Sequence, residues 1–518
     1  MQNRFLLFFM AFIAVVVFSN TSPAYGCFAV VVGKDASADG SVLFAHLEQN
    51  SNLSKMGYRY IPRIEHKPGS MVQLRRGGTW PQPDVSWAYL WTWNAGSEFS
   101  DGYFNEWGVA IASDACATRE DSYDELVARG DITDGGIGYK LRRIVAQRAT
   151  TAREGVEIAT ELLNYFGYAA SGRTYVIADA NEGWLLSVAR GKHWIAQRVP
   201  DDAIVLLPNV HIIGPEADLN DKENVMASEG LLEYAIERGW YNPASGEAFS
   251  FREAFNREPW EGSFMDEHGI DPRQWFSHSL VYNELIELPV EKQLPFAIYT
   301  DRKFDIRDLA NMLSSHGHIE GQTPELSKSY QLGMPKNASP HHEPGVGAIC
   351  SSTAQELVVY QLRNWMPTAV GSVAWRTTAA PCGSVLVPWY AGINETPKNY
   401  YPNVPLEQAL DVAFHFNPPE DFFNYDPQQA FNLFNALENL IDLDYPTNVA
   451  MAREQWAPFE EEQFAMQDAI EEVALKLWEQ DPELAIGFLT DYSGQRAMKA
   501  FRIAEKMVTK LKTKHWGY

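Results

Sequence analysis

Cys27 stands where a new amino terminus would be made, and a cysteine at an amino terminus carries two reactive groups on one residue. Ala24 and Gly26 give the small-x-small pattern that precedes a signal cleavage site, so the predicted cut falls between Gly26 and Cys27. The cut leaves a thiol beside a free α-amine. An amine with an ordinary pKa of about 7.7–8.0 can take the thiol proton near neutrality, and the thiolate is the form that attacks. Two other readings stay open at this point. A cysteine at such a junction can be lipidated as a membrane anchor, although Ala24 is small where a lipobox has a larger aliphatic residue. It can also be a structural cysteine in an early strand, and spacing does not separate the three.

The elements that must present Cys27 follow from periodicity. Cys27 to Val32 is short, apolar and β-branched, and after Asp39-Gly40 a second apolar run covers Ser41 to Ala45, which reads as a hairpin with the thiol at a strand end. Trp87 to Trp93 and Gly108 to Ala112 read as further strands. Leu141 to Phe166 has helical periodicity, and strands resume at Thr174 to Ala178, Gly183 to Ala189, Trp194 to Arg198 and Ala203 to Leu207. Pro215 to Pro295 reads as loops and short helices, and Gln322 to Pro344, with its paired His341-His342, as a long loop. Strand character returns at Glu356 to Leu362, Gly371 to Trp375 and Ser384 to Pro388. From Leu406 the pattern is helical, with a long helix over Arg453 to Glu479 and a last one over Ser493 to Lys514. Strands, helices and strands again predict a layered α+β core.

Met1 to Gly26 has the order of a secretory signal: Arg4, an apolar stretch from Phe5 to Phe18, then the small-residue junction. The expectation is an exported protein, periplasmic or secreted, with no stable membrane insertion after signal removal; lipid anchoring through Cys27 is the alternative. The chain divides into a signal at 1–26, a core at 27–402 and a helical region at 403–518. Its 518 residues are 46% hydrophobic, enough for a large core. A formal charge of -25 argues against nucleic acid as a partner. With Cys27 free, Cys116, Cys350 and Cys382 allow one disulfide at most, and the pair is not readable. The sequence has no HExxH, Walker or dinucleotide motif, and His316 with His318 reads as surface loop, so neither metal nor cofactor is expected.

Several separated segments together resemble the dipeptidase A type cysteine peptidases of the N-terminal nucleophile hydrolase superfamily. They are the opening Cys27 to Asn50, with Val32-Gly33-Lys34 and Asp39-Gly40-Ser41; Asn105 to Ile111; Ala178 to Trp184; Trp194 to Asp202 with Pro208-Asn209; Asp301-Arg302-Lys303; Gln361-Leu362-Arg363; Val385 to Gly392; and Leu489 to Ser493. The resemblance implies a four-layer αββα sandwich and hydrolysis of an amide bond in small peptides, without metal or cofactor. It implies Cys27 as nucleophile with its own α-amine as base. Asn209 matches the position of an oxyanion-hole asparagine, with a turn-capping asparagine as the other reading. Asn105 is a further oxyanion candidate, although Asn-Glu-x-Gly is also good turn chemistry. An acylase of non-peptide amides, of penicillin V or bile-salt type, would share these groups. A non-catalytic exported protein on the same fold is the reading from another class, and a homo-oligomer is compatible with either.

One segment departs from the family. Many relatives carry Arg-Asn-x-Asp or a similar run at the end of the second strand, which orients the new terminus; this chain has His46-Leu47-Glu48-Gln49. Strand alternation sends His46 and Glu48 to one side, where they can form a replacement pair; a different or weakened wiring is the other reading.

Overall fold

The computed structural model describes residues 26–50, 55–289, 292–317, 339–341 and 347–517. Residues 1–25 of the leader, His318, His342 and most of the expected Gln322 to Pro344 loop lie outside the described residues. Strand β1 (Phe28–Val32) is apolar and buried at every position. A strand covered on both faces needs a continuous apolar run rather than alternation, and each such side chain contributes roughly 1.5–3 kcal/mol on burial. Gly40, with φ 85°, turns the chain back into β2 (Val42–Gln49), which pairs antiparallel with β1 and sets Phe28 opposite Leu47.

Two antiparallel sheets carry the core. In the chain's further order β3 is Ala110–Ala115, β4 Arg173–Ala178, β5 Gly183–Val188, β6 Ala203–Leu207 and β7 Ala354–Leu362. The seven-stranded sheet has β6, β1, β2 and β7 as consecutive neighbours, and the eight-stranded sheet has β5, β4 and β3. They stack face to face, and Gly183 marks how closely: a Cβ there would lie 2.7 Å from Val31 Cγ1. The same face of β1 that meets Gly183 at Val31 also presents Ala29 and Cys27, because alternate residues share a side.

Helices cover the outer faces. Helix α1 (Ala152–Phe166) packs its apolar side on the eight-stranded sheet. The expected helix from Leu141 to Phe166 is in fact two, Leu141–Ala146 and α1, because the Thr151 side chain caps α1 by accepting from Glu154 N. Helices α2 (Pro272–Tyr282) and α3 (Ile306–Leu313) follow. The C-terminal helices α4 (Ala430–Asp442), α5 (Tyr445–Gln480) and α6 (Pro482–Trp516) lie against the seven-stranded sheet, where Arg363 and Glu471 make a buried bidentate ion pair. Helix α6 begins earlier than its periodicity suggests because Asp481 caps it and Pro482 takes its first position. Among the described residues no helix is long and apolar enough to cross a membrane.

Candidate active site

The β-ladder registers place Cys27. Phe28 pairs with Leu47 on one side and Ala29 with Leu207 on the other, so continuing both ladders sets Cys27 between Glu48 and Asn209. The contacts agree. Cys27 Sγ donates to Glu48 Oε2 at 3.4 Å and accepts from Gln49 N–H at 3.5 Å. His46 and Glu48 share the thiol's side of β2, and the ligand atoms of Cys27, His46 and Glu48 lie within 4.8 Å of one another. The two side chains thus lie on one side of β2, as strand alternation places them.

The stacked sheet supplies the rest. His46 Nε2 faces Asp114 Oδ1 of β3 at 3.1 Å, and Arg173 of β4 lies near enough to the thiol to favour its ionised form. Arg173 is itself held by the Ser113 carbonyl at 3.2 Å and the Tyr168 hydroxyl at 3.2 Å. Arg273, in the first turn of α2, donates to the Gly26 carbonyl at 2.7 Å and the Cys27 carbonyl at 3.3 Å while paired with Asp271. Gly26 packs on the Asn209 side chain so closely that a Cβ would sit 2.3 Å from Oδ1. Asn209 spends one amide N–H on the Ala115 carbonyl at 2.9 Å.

Electrostatics keep this thiol neutral in the chain that still carries Gly26. Burial pushes Cys27 well above the usual thiol range, and Glu48 and Asp114 push it further; Gln49 N–H and Arg173 pull the other way. Burial likewise raises the Glu48 carboxyl to about 7, against the pull of His46. Burial alone would lower His46, but its hydrogen bond to Asp114 and the nearby carboxylates raise it overall. Carboxylates and cations thus meet around this thiol, Glu48 and Asp114 raising it and Arg173 opposing them.

Two expectations about other residues are corrected. Asn105 is not brought to the thiol: its amide donates to the Ala146 and Ala149 carbonyls and accepts from Trp107 and Val109 N–H, so it closes a turn and ties it to the following helix. His316 is not on a surface loop but 2% exposed, because the turn after α3 tucks under the C-terminal helices. Among the described residues no disulfide joins Cys116, Cys350 and Cys382, which are free and buried.

The sequence profile of peptidase family C69 matches residues 26–418, beginning one residue before Cys27. The chain belongs to peptidase family C69. Relatives of this C69 chain include a probable dipeptidase of Latilactobacillus sakei, 28% identical over 75% of this chain and 78% of its own length. A dipeptidase of Bifidobacterium longum is 31% identical over 72% of each chain. Among solved structures, a mutant of conjugated bile acid hydrolase from Clostridium perfringens aligns over 68% of this chain and 89% of its own at 10% identity with TM-score 0.29, too low to carry an argument.

Asp114, Arg173 and Arg273 belong to this candidate site and were missed by the sequence reasoning. Asp114 had a signal, a carboxylate in an otherwise uncharged run from Gly108 to Ala115. The two arginines had only the turn signals around them, which name no target.

Proposed function

We propose that this C69 peptidase is an exported cysteine dipeptidase built as an αββα N-terminal nucleophile hydrolase, with Cys27 as its nucleophile once the leader is cut after Gly26. The observation that carries the reading is the place of Cys27 at the head of β1 between Glu48 and Asn209, with its sulfur in hydrogen-bond contact with the Glu48 carboxylate. The start of the family match at residue 26 and the dipeptidase names of the relatives support it.

Cleavage turns the Cys27 nitrogen from an amide into an α-amine, and Glu48 with Asp114 offers the countercharge for its protonated form. The neutral amine takes the thiol proton, the sulfur attacks the scissile carbonyl, and the amine returns the proton to the leaving amine. Water then adds to the acyl-enzyme with the same amine as base, and the thiol is released. Removal of Gly26 uncovers the Asn209 amide, whose second N–H is free to donate to the tetrahedral oxygen; one such donor is worth about 10²–10³ in kcat. Arg273 loses the Gly26 carbonyl in the same event and offers a donor to the substrate. Glu48 and His46 with Asp114 take the orienting part that the Arg-Asn-x-Asp run plays in relatives.

Intact mass of the purified exported protein, followed by hydrolysis of a panel of dipeptides and acyl amides, tests the reading. A mass that begins at Cys27 with a free amine, and dipeptide turnover lost in Cys27→Ala, is expected. A diacylglyceryl mass at Cys27, or turnover unchanged in Cys27→Ala, sinks it.

A further inference from the structure

A second cluster of sulfur and imidazole lies away from the thiol just described. His316 follows α3, His341 and Cys350 come from the next described stretches, and Cys382 lies in the 3-10 turn Pro381–Gly383. All are buried, none more than 5% exposed, and their ligand atoms lie within 4.8 Å of one another. His341 Nε2 is 3.0 Å from Cys382 Sγ and 3.9 Å from Cys350 Sγ. Its other nitrogen, Nδ1, is held by Asp442 Oδ1 at 2.9 Å, at the end of α4. Ser339 Oγ donates to the same carboxylate at 2.8 Å. Cys350 is fixed next to His316 because both Ile349 N and Cys350 N donate to the Ser315 carbonyl at 2.9 Å.

We propose that His316, His341, Cys350 and Cys382 form a closed, structural Zn²⁺ site. Two thiolates and two imidazoles are a complete tetrahedral donor set, and a closed site with no open position is structural rather than catalytic. With bonds of about 2.0–2.3 Å the edges of that tetrahedron are roughly 3.3–3.8 Å, so the observed spread closes by roughly 1.5 Å at most. Asp442 fixes the His341 ring with Nε2 toward the sulfurs, which is the carboxylate–histidine–metal arrangement of well-held zinc ligands. A disulfide would account for two sulfurs and leave unexplained why two imidazoles converge on the same point; an ion accounts for all four groups. On binding, the two S–H bonds break, both sulfurs bond to the ion and two protons pass to solvent.

The site would join residues on both sides of the 318–338 stretch to α4. It also abuts the catalytic strand, since Gln49 of β2 donates its side-chain amide to the Ile349 carbonyl, next to Cys350.

The test is elemental analysis of the full chain purified with its thiols reduced, together with Co²⁺ titration of the metal-free protein. About one zinc per chain is expected, falling by roughly tenfold or more in Cys350→Ser/Cys382→Ser and in His316→Ala, and unchanged in Cys116→Ser. Co²⁺ alone should give thiolate-to-cobalt absorption and intense tetrahedral d–d bands in the wild-type chain, a readout that needs no variant to fold. Reduced wild-type protein that takes up neither zinc nor cobalt overturns the proposal. So does a peptide map of the native protein with Cys350 joined to Cys382.

Discussion

Among the described residues two buried clusters combine cysteine with histidine, and what surrounds the sulfur separates them. At Cys27 burial holds the thiol well above its usual range, and the carboxylates of Glu48 and Asp114 add to that effect. At Cys382 the neighbours are the Cys350 thiol and the His341 and His316 imidazoles, which draw it well below the usual thiol range against the effect of burial. The first sulfur waits for a cation to arrive on its own residue. The second is already set among donors that complete a coordination shell. Equal residue types therefore give unequal chemistry, and burial together with the groups that face each sulfur decides which.

The sharpest way to break the comparison is at the first sulfur. Cys27→Ala should lower kcat/KM for dipeptides by on the order of 10⁴-fold or more with the fold retained by circular dichroism. Next comes the oxyanion donor: Asn209→Ala should lower kcat by about 10²–10³ while KM moves little. A raised KM at unchanged kcat would make Asn209 a ground-state binder. At the second cluster, stripping the metal with a chelator under reducing conditions should lower Tm by on the order of 5–10 °C, and zinc should restore it. A Tm indifferent to zinc would put the two clusters on the same footing.

The smallest expected effect is a pH slope. In the chain that retains Gly26, the Glu48 carboxyl titrates at about 7 in the folded state. A folded value above the unfolded one means the fold favours the protonated carboxyl. The stability it adds is complete below the unfolded value of about 4.3 and is lost as pH rises through 7, a fall on the order of 3 kcal/mol. Burial dominates the shift, and His46, also raised, slopes the same way. Urea melts of the uncleaved chain at pH 5 and pH 7.5 should show the decline, and Glu48→Gln should flatten it. In the cleaved protein the α-ammonium should draw Glu48 down and shrink the slope.

Much of the scaffold was legible because it is written in local periodicity. The runs at Thr174, Gly183, Trp194 and Ala203 begin within a residue of the observed strands, since each is a buried apolar stretch bounded by turn residues. The ends of helices were less legible where caps outweighed periodicity, as at Thr151 and Asp481. At the site, the alternation of His46 and Glu48 followed from strand periodicity, whereas Asn209 was singled out only by the family resemblance. Asn105 stayed open between two readings because a buried asparagine that closes a turn and one that polarises a carbonyl carry the same letter; its hydrogen bonds support the turn.

By itself the sequence determined many of the strands and helices, that Cys27 heads the first strand, and that a histidine and a carboxylate share one side of β2. These depend on near neighbours in the chain. Only the tertiary structure decided that Asp114 and Arg173 face Cys27 from the opposite sheet, that Arg273 grips the junction, and that His316, His341, Cys350 and Cys382 meet at one point. Those meetings join residues far apart in sequence. They are fixed by how the sheets stack and where the C-terminal helices press, for which no local pattern stands.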